Sequence, residues 1–206
     1  MEKTKDNLLF EELKEKAEQG DARVQNNLGV RYKYGRGVRK NLKAAAEWYT
    51  KAAEQGIAVA QFNIGACYWK GEGVRRNYSK AFEWYMKAAE QGDSWAQNDV
   101  GACYENGKGV KKDIRKAVEW YTLAAKQGFA IAQHNLAVCY EKGQGVEKDI
   151  NKAIEWYKKA AQQGFESAKE RLEELTCKRL EGMDKIVGTE TVEFNSSFSS
   201  DDVVPF

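Results

Sequence analysis

Gly20, Gly56, Gly92, Gly128 and Gly164 stand 36 residues apart, and the text between them repeats with them. Aligned on these glycines, Tyr32, Tyr68, Tyr104 and Tyr140 fall in one column. Trp48, Trp84, Trp120 and Trp156 fall in another, each followed by Tyr and then, three residues on, by Ala-Ala. A unit this short cannot bury its apolar face alone, so self-similarity at this period predicts a stack of like units sharing one continuous core. The 206 residues therefore read as one elongated body rather than two domains.

Within a unit the spacing predicts two helices. In the second copy a helix A runs from about Ala58 to Lys70, with Ala60, Ile64 and Tyr68 at i, i+4 and i+8 on an inward seam. Gly65 sits in its middle, recurring as Gly29 and Gly101 with Ala137 in the fourth copy. A mid-helix glycine costs about 1 kcal/mol relative to alanine, so its recurrence marks a close approach of two helices. Gly71-Glu72-Gly73-Val74 then ends the helix, its first glycine suited to a left-handed C-terminal position. Asn41, Asn77, Asp113 and Asp149 supply the N-cap acceptors of the helices that follow. In such a helix B, Ala81, Trp84, Tyr85, Ala88 and Ala89 make an apolar stripe, with the Trp-Tyr pair filling the gap between layers.

The expected organisation is an N-terminal capping helix in residues 1–19 and four full repeats, 20–55, 56–91, 92–127 and 128–163. A C-terminal capping helix follows in 164–181, and an acidic tail in 182–206. The caps turn charged residues outward, such as Glu11, Glu12 and Lys14 at one end and Glu170, Glu173 and Glu174 at the other. The tail has no helical period, is rich in Ser and carries five acids against one lysine.

Composition excludes more than it points to. The 33 basic and 31 acidic residues nearly cancel, which gives no electrostatic reason to expect nucleic acid or an anionic membrane as partner. No run reaches the ~18 apolar residues of a membrane span, and the first 19 residues lack the apolar core of a secretory signal. A cytoplasmic protein is expected, unless export proceeds by a route without a classical signal. Cys67, Cys103 and Cys139 share one repeat position, so neighbours lie roughly 8–10 Å apart or more, beyond the ~7 Å reach of a disulfide. They read as small buried thiols. His134, the single histidine, lies about 140° around its helix from Cys139, so the two should not meet. No cofactor, metal or catalytic residue is expected.

The columns spelled AQFNIGACYWKGEGV, Lys-Ala, Trp-Tyr and Ala-Ala in the second copy resemble the Sel-1-like repeat family, a relative of the tetratricopeptide repeat. Ala44 in place of the usual lysine and Ala137 in place of a glycine are the departures. The resemblance implies an all-α, right-handed solenoid that acts as a non-catalytic adaptor for a protein or peptide. Some bacterial members are described as β-lactamases, which makes a hydrolase the enzymatic alternative. No Ser-x-x-Lys motif supports it here, and those members are rich in disulfides. An exported effector that binds a host protein is a third reading with the same mechanism.

The resemblance also implies that helix A lines a concave groove. Its groove columns hold Arg23, Val59, Trp95 and Ile131, then Asn26, Phe62, Asn98 and His134, then Asn27, Asn63, Asp99 and Asn135. A further column holds Lys33, Trp69, Glu105 and Glu141. Asparagine is a poor helix former, so its recurrence suggests either clamps for the main chain of a bound peptide or bonds to the next repeat. Phe62, Trp69 and Trp95 break the repeat pattern and read as partner anchors, the alternative being that one packs on a cap or loop. Charge passes from Arg23 and Lys33 at one end to Asp99, Glu105 and Glu141 at the other, a gradient able to orient a peptide. The tail, with Phe194, Phe198 and Phe206, could fold back into the groove, serve export or remain disordered.

Overall fold

The computed structural model describes residues 5–177, and among them there are ten helices and no strand. Helix A of the four repeats is α2 (Ala22–Tyr34), α4 (Ala58–Lys70), α6 (Ser94–Asn106) and α8 (Ala130–Lys142). Helix B is α3 (Leu42–Glu54), α5 (Tyr78–Glu90), α7 (Ile114–Lys126) and α9 (Ile150–Gln162). Helix α1 (Lys5–Glu18) precedes them, beginning three residues before the Leu8 start of the apolar pattern, and α10 covers 166–177. Every extensive contact joins a helix to its neighbour in sequence, which is the architecture of a solenoid. The tail from 182 onward lies outside the described residues.

The helices begin and end where local chemistry dictates. Asn41, Asn77, Asp113 and Asp149 each accept a backbone N–H three residues on, at 2.9–3.1 Å. Each also donates its own N–H to the carbonyl of the seam tyrosine at 2.9 Å, closing the connector on the helix it left. Val38, Val74, Val110 and Val146 tuck beneath these connectors against the core. The second connector glycine does something the sequence did not disclose. A Cβ on Gly109 would stand 2.2 Å from the Tyr78 carbonyl oxygen, and one on Gly73 2.0 Å from that of Leu42. The second, third and fourth connectors thus press on the first turn of the preceding helix B.

The core is made of small residues plus one tyrosine per unit. Ala60, Ile64, Ala81 and Ala88 are fully buried, as are Tyr49, Tyr121 and Tyr157, with Tyr85 nearly so. The mid-helix glycines face these rings: a Cβ on Gly65 would come within 2.7 Å of Tyr85. The tryptophan column packs against the clusters between units, at their edge rather than at their centre. Trp48, Trp84, Trp120 and Trp156 are half-buried, and Lys51, Lys87 and Lys159 cover three of the rings at 4.1–4.2 Å. The ammonium itself sits over the indole face, drawn there by the ring quadrupole. Over Trp120 the corresponding residue is Leu123, which is exposed.

A second ladder, of glutamines, was not foreseen. Gln25, Gln61, Gln97 and Gln133 are each buried, and each donates to the carbonyl of an alanine in the preceding helix at 2.9–3.2 Å. Each also accepts from Gln55, Gln91, Gln127 or Gln163 at 2.7–2.8 Å. Both ends of the carboxamide are used, which removes the penalty of burying it. Four copies at period 36 were the available signal.

Candidate peptide-binding groove

Helix A of one repeat meets helix A of the next side chain to side chain. The Asn63 amide donates to the Asn26 carbonyl oxygen across α4 and α2 at 3.0 Å. Asn135 does the same to Asn98 across α8 and α6 at 3.0 Å. Between α4 and α6 the contact is aromatic, with the Phe62 and Trp95 rings 6.4 Å apart. Through these contacts the successive A helices form one continuous face of the stack.

The structure separates the candidate residues into three groups. At the first repeat, Arg23 and Asn27 are exposed and, with Asn26 and Val59, line a shallow depression of about 460 Å³. Lys33 is half-buried and pairs with Glu72 at 3.9 Å. At the junction of the second and third repeats, Phe62 lies 5.6 Å from Tyr85, and Trp95 packs 4.6 Å from Phe129 while remaining 55% exposed. Trp69 stands at the end of α4, edge-on to Tyr78 at 4.9 Å, with the Lys108 ammonium 5.4 Å from its centroid. One face of that ring is therefore taken by the next connector. Toward the last repeat, His134 sits between Tyr157 and Phe165 at 5.4 and 5.0 Å, with Nδ1 buried and no partner among the described residues. Burial lowers its pKa and keeps it neutral.

Two expectations change on these contacts. Asn63 and Asn135 each spend one amide N–H on the preceding repeat, so they stitch repeats together and keep the other N–H and the carbonyl oxygen for a ligand. Among the asparagines singled out, Asn27 is the exposed one. The charge gradient is also reduced. Glu72 offsets Lys33, and Arg171 makes a bidentate pair with Glu141, holding that carboxyl below its usual range. Glu105 accepts from the Tyr121 hydroxyl at 2.6 Å, and Glu141 from Tyr157 at 2.8 Å. Neither Asp99 nor Glu105 has an ion pair among the described residues, and burial raises the Asp99 carboxyl from 3.8 to about 6.

The reactive groups are placed for packing. Burial pushes the thiols of Cys67, Cys103 and Cys139 up to about 11, 12 and 11, far from the thiolate a nucleophile needs at neutral pH. All three are free, and Cys177 is free and exposed. Among the described residues no group of three His, Cys, Asp or Glu could hold a metal ion, and no helix is long and apolar enough to cross a membrane.

Comparison with known proteins agrees with this architecture. The model of the Sel1 repeat matches residues 22–57, 58–93, 96–129 and 130–165. The chain is similar to c5321, a protective antigen present in uropathogenic Escherichia coli strains that displays an SLR fold. The identity is 44% and the TM-score 0.74, over 75% of this chain and 33% of that one. It is similar to a Sel1 repeat protein from Oxalobacter formigenes at 42% identity and TM-score 0.75, over 81% of this chain and 66% of that one. Helicobacter pylori cysteine rich protein B is 32% identical with TM-score 0.52, over 65% of this chain and 96% of that one. The chain thus spans about a third of the E. coli antigen and just under two thirds of the Oxalobacter protein. Comparison with curated proteins finds no match. With four tandem copies of the repeat across its helical body, the chain belongs to the Sel1 repeat family.

Proposed function

We propose that this protein is a non-catalytic adaptor that holds an extended peptide or a partner helix along the inner wall of its A helices. Sel1 repeat proteins generally serve as protein–protein interaction scaffolds. The observation that carries the reading here is Trp95. It is a large aromatic residue more than half exposed on the A-helix face, beside Phe62 and Phe129 and near Val59, itself 52% exposed. The repeat does not require a tryptophan at this position, and rigid aromatic anchors of this kind dominate binding energy. Phe62 and Trp95 are the anchors, with Trp69 as the wall behind them. Arg23, Asn27 and the remaining donor and acceptor of Asn63 and Asn135 offer polar contacts to either side. His134 contributes an apolar edge.

Peptide display panned against the native chain tests this. Selected peptides should quench Trp95 emission and lose at least tenfold in affinity for Trp95→Ala, while Trp69→Ala weakens them less. Peptides that bind both variants as tightly as the native chain would place the binding surface elsewhere. The free, buried thiols suit a reducing compartment, and on that ground we place the protein in the cytosol. Cell fractionation distinguishes this from export as an effector.

A further inference from the structure

The asparagine ladder fails at one place, and the failure has a chemical consequence. Each rung needs a carboxamide acceptor on one helix A and an asparagine donor on the next, as in Asn26 with Asn63 and Asn98 with Asn135. Between the second and third repeats these two positions are Phe62 and Asp99. Phenylalanine offers no acceptor and a carboxylate offers no donor, so no rung forms. What remains is a carboxylate beside an aromatic wall.

The surroundings of that carboxylate are particular. Asp99 accepts one hydrogen bond, from the neighbouring Asn98 amide at 3.2 Å. Among the described residues no Lys or Arg lies within ion-pair distance of it. Trp95 is one helical turn away on the same face of α6. Tyr85 lies close enough for the two negative charges to oppose each other. In the third and fourth repeats the equivalent tyrosine hydroxyl donates to Glu105 or Glu141, but in the second repeat that glutamate is replaced by Trp69. Phe62 and Trp69 both pack on Tyr85, at 5.6 and 6.4 Å. Four rings, Phe62, Trp69, Tyr85 and Trp95, thus form one aromatic cluster, with Asp99 one turn along α6 from Trp95. One of these rings already accepts a cation from the chain itself, since Lys108 lies against Trp69. No described Lys or Arg lies over Trp95.

The geometry points to a cation-selective subsite at the junction of the second and third repeats: Asp99 pairs with an arginine or lysine side chain of the bound peptide while Trp95 and Phe62 cover its stem. Ring faces attract a cation through their quadrupole, and a carboxylate in a desolvated setting supplies the charge partner. This rests on the peptide-groove reading and adds its specificity. The site also sets a proton linkage. Burial raises the Asp99 carboxyl from 3.8 to about 6, so a bound cation must first compete with a proton. The charged and titratable groups facing it are Lys70 of α4, Tyr85 of α5, Asp93 and Cys103 of α6, and Tyr121 of α7. The tyrosines and Cys103 hold their protons far above this range.

Two blocked peptides test the assignment, acetyl-Ala-Leu-Arg-Leu-Ala-amide and the same sequence with neutral citrulline for arginine. Binding is read by Trp95 indole shifts in NMR titrations. The arginine peptide should bind about tenfold tighter than the citrulline peptide at pH 7. Its affinity should rise about tenfold from pH 5 to pH 7, as the carboxyl ionises. Asp99→Asn, which restores the side chain found at the equivalent place in the other three repeats, should erase both differences. Equal binding of the two peptides by the native chain would overturn the subsite and leave the groove standing. Trp95 shifts from neither peptide would overturn both.

Discussion

Asp99 is a side chain whose charge the fold penalises, and the sign of the effect can be worked out. Its carboxyl sits near 6 in the folded chain against 3.8 ordinarily, so the folded chain holds the proton over a range where the unfolded chain has lost it. Stability therefore falls as pH rises from about 4 to about 6, and the whole penalty, roughly 3 kcal/mol, applies above that. Asp99→Asn should be more stable than the native chain in urea at pH 7.5 by up to about that amount. The gain should vanish at pH 4, and an equal gain at both values would show that burial of the charge is not the cause. A residue that lowers stability on a proposed binding surface fits a trade between activity and stability. The sequence showed that Asp99 departs from its column, but not that Phe62 departs beside it. A one-dimensional alignment puts these two residues in different columns, and only the stacking angle between repeats brings them to the same rung.

At the scale of helices and connectors, much was legible. The end of α4 at Lys70 and the start of α5 at Tyr78 follow from Gly71 and Asn77, because a left-handed glycine and an N-cap acceptor act locally and need no tertiary context. Depth of burial was not legible. Helical periodicity gives the face on which Trp84 lies, yet only the structure shows Lys87 laid over it. The glutamine ladder escaped for a related reason, since glutamine is exposed by default and is buried only where both ends of its amide find partners. The connector glycines give the sharpest prediction at this scale. Gly109→Ala must place a methyl 2.2 Å from the Tyr78 carbonyl at a φ of +80°. Left-handed strain and overlap with backbone together cost about 3 kcal/mol. Gly92→Ala, at a φ of +90° with open space around it, should cost only the ~1–2 kcal/mol of strain. Chemical denaturation of the two variants checks the ordering, and a Gly92→Ala loss as large as that of Gly109→Ala would refute the connector-contact account.

Across the whole molecule, stability is carried by contacts between successive helices, so the ends can open while the middle stays folded. The thiol column gives this a natural readout. Cys67, Cys103 and Cys139 occupy equivalent buried sites in α4, α6 and α8, whereas Cys177 lies exposed on α10. A pulse of alkylating reagent resolved by mass spectrometry should mark Cys177 at once and Cys139 next. Cys67 should follow, and Cys103, the most central of the three, should be marked last. A common rate for the three buried sites would mean that the array breathes as one unit. The native chain thus carries its own set of stopwatches, one per turn of the spiral. The propagation of a ligand's grip on the middle of the array toward its ends can be timed without inserting a single foreign probe.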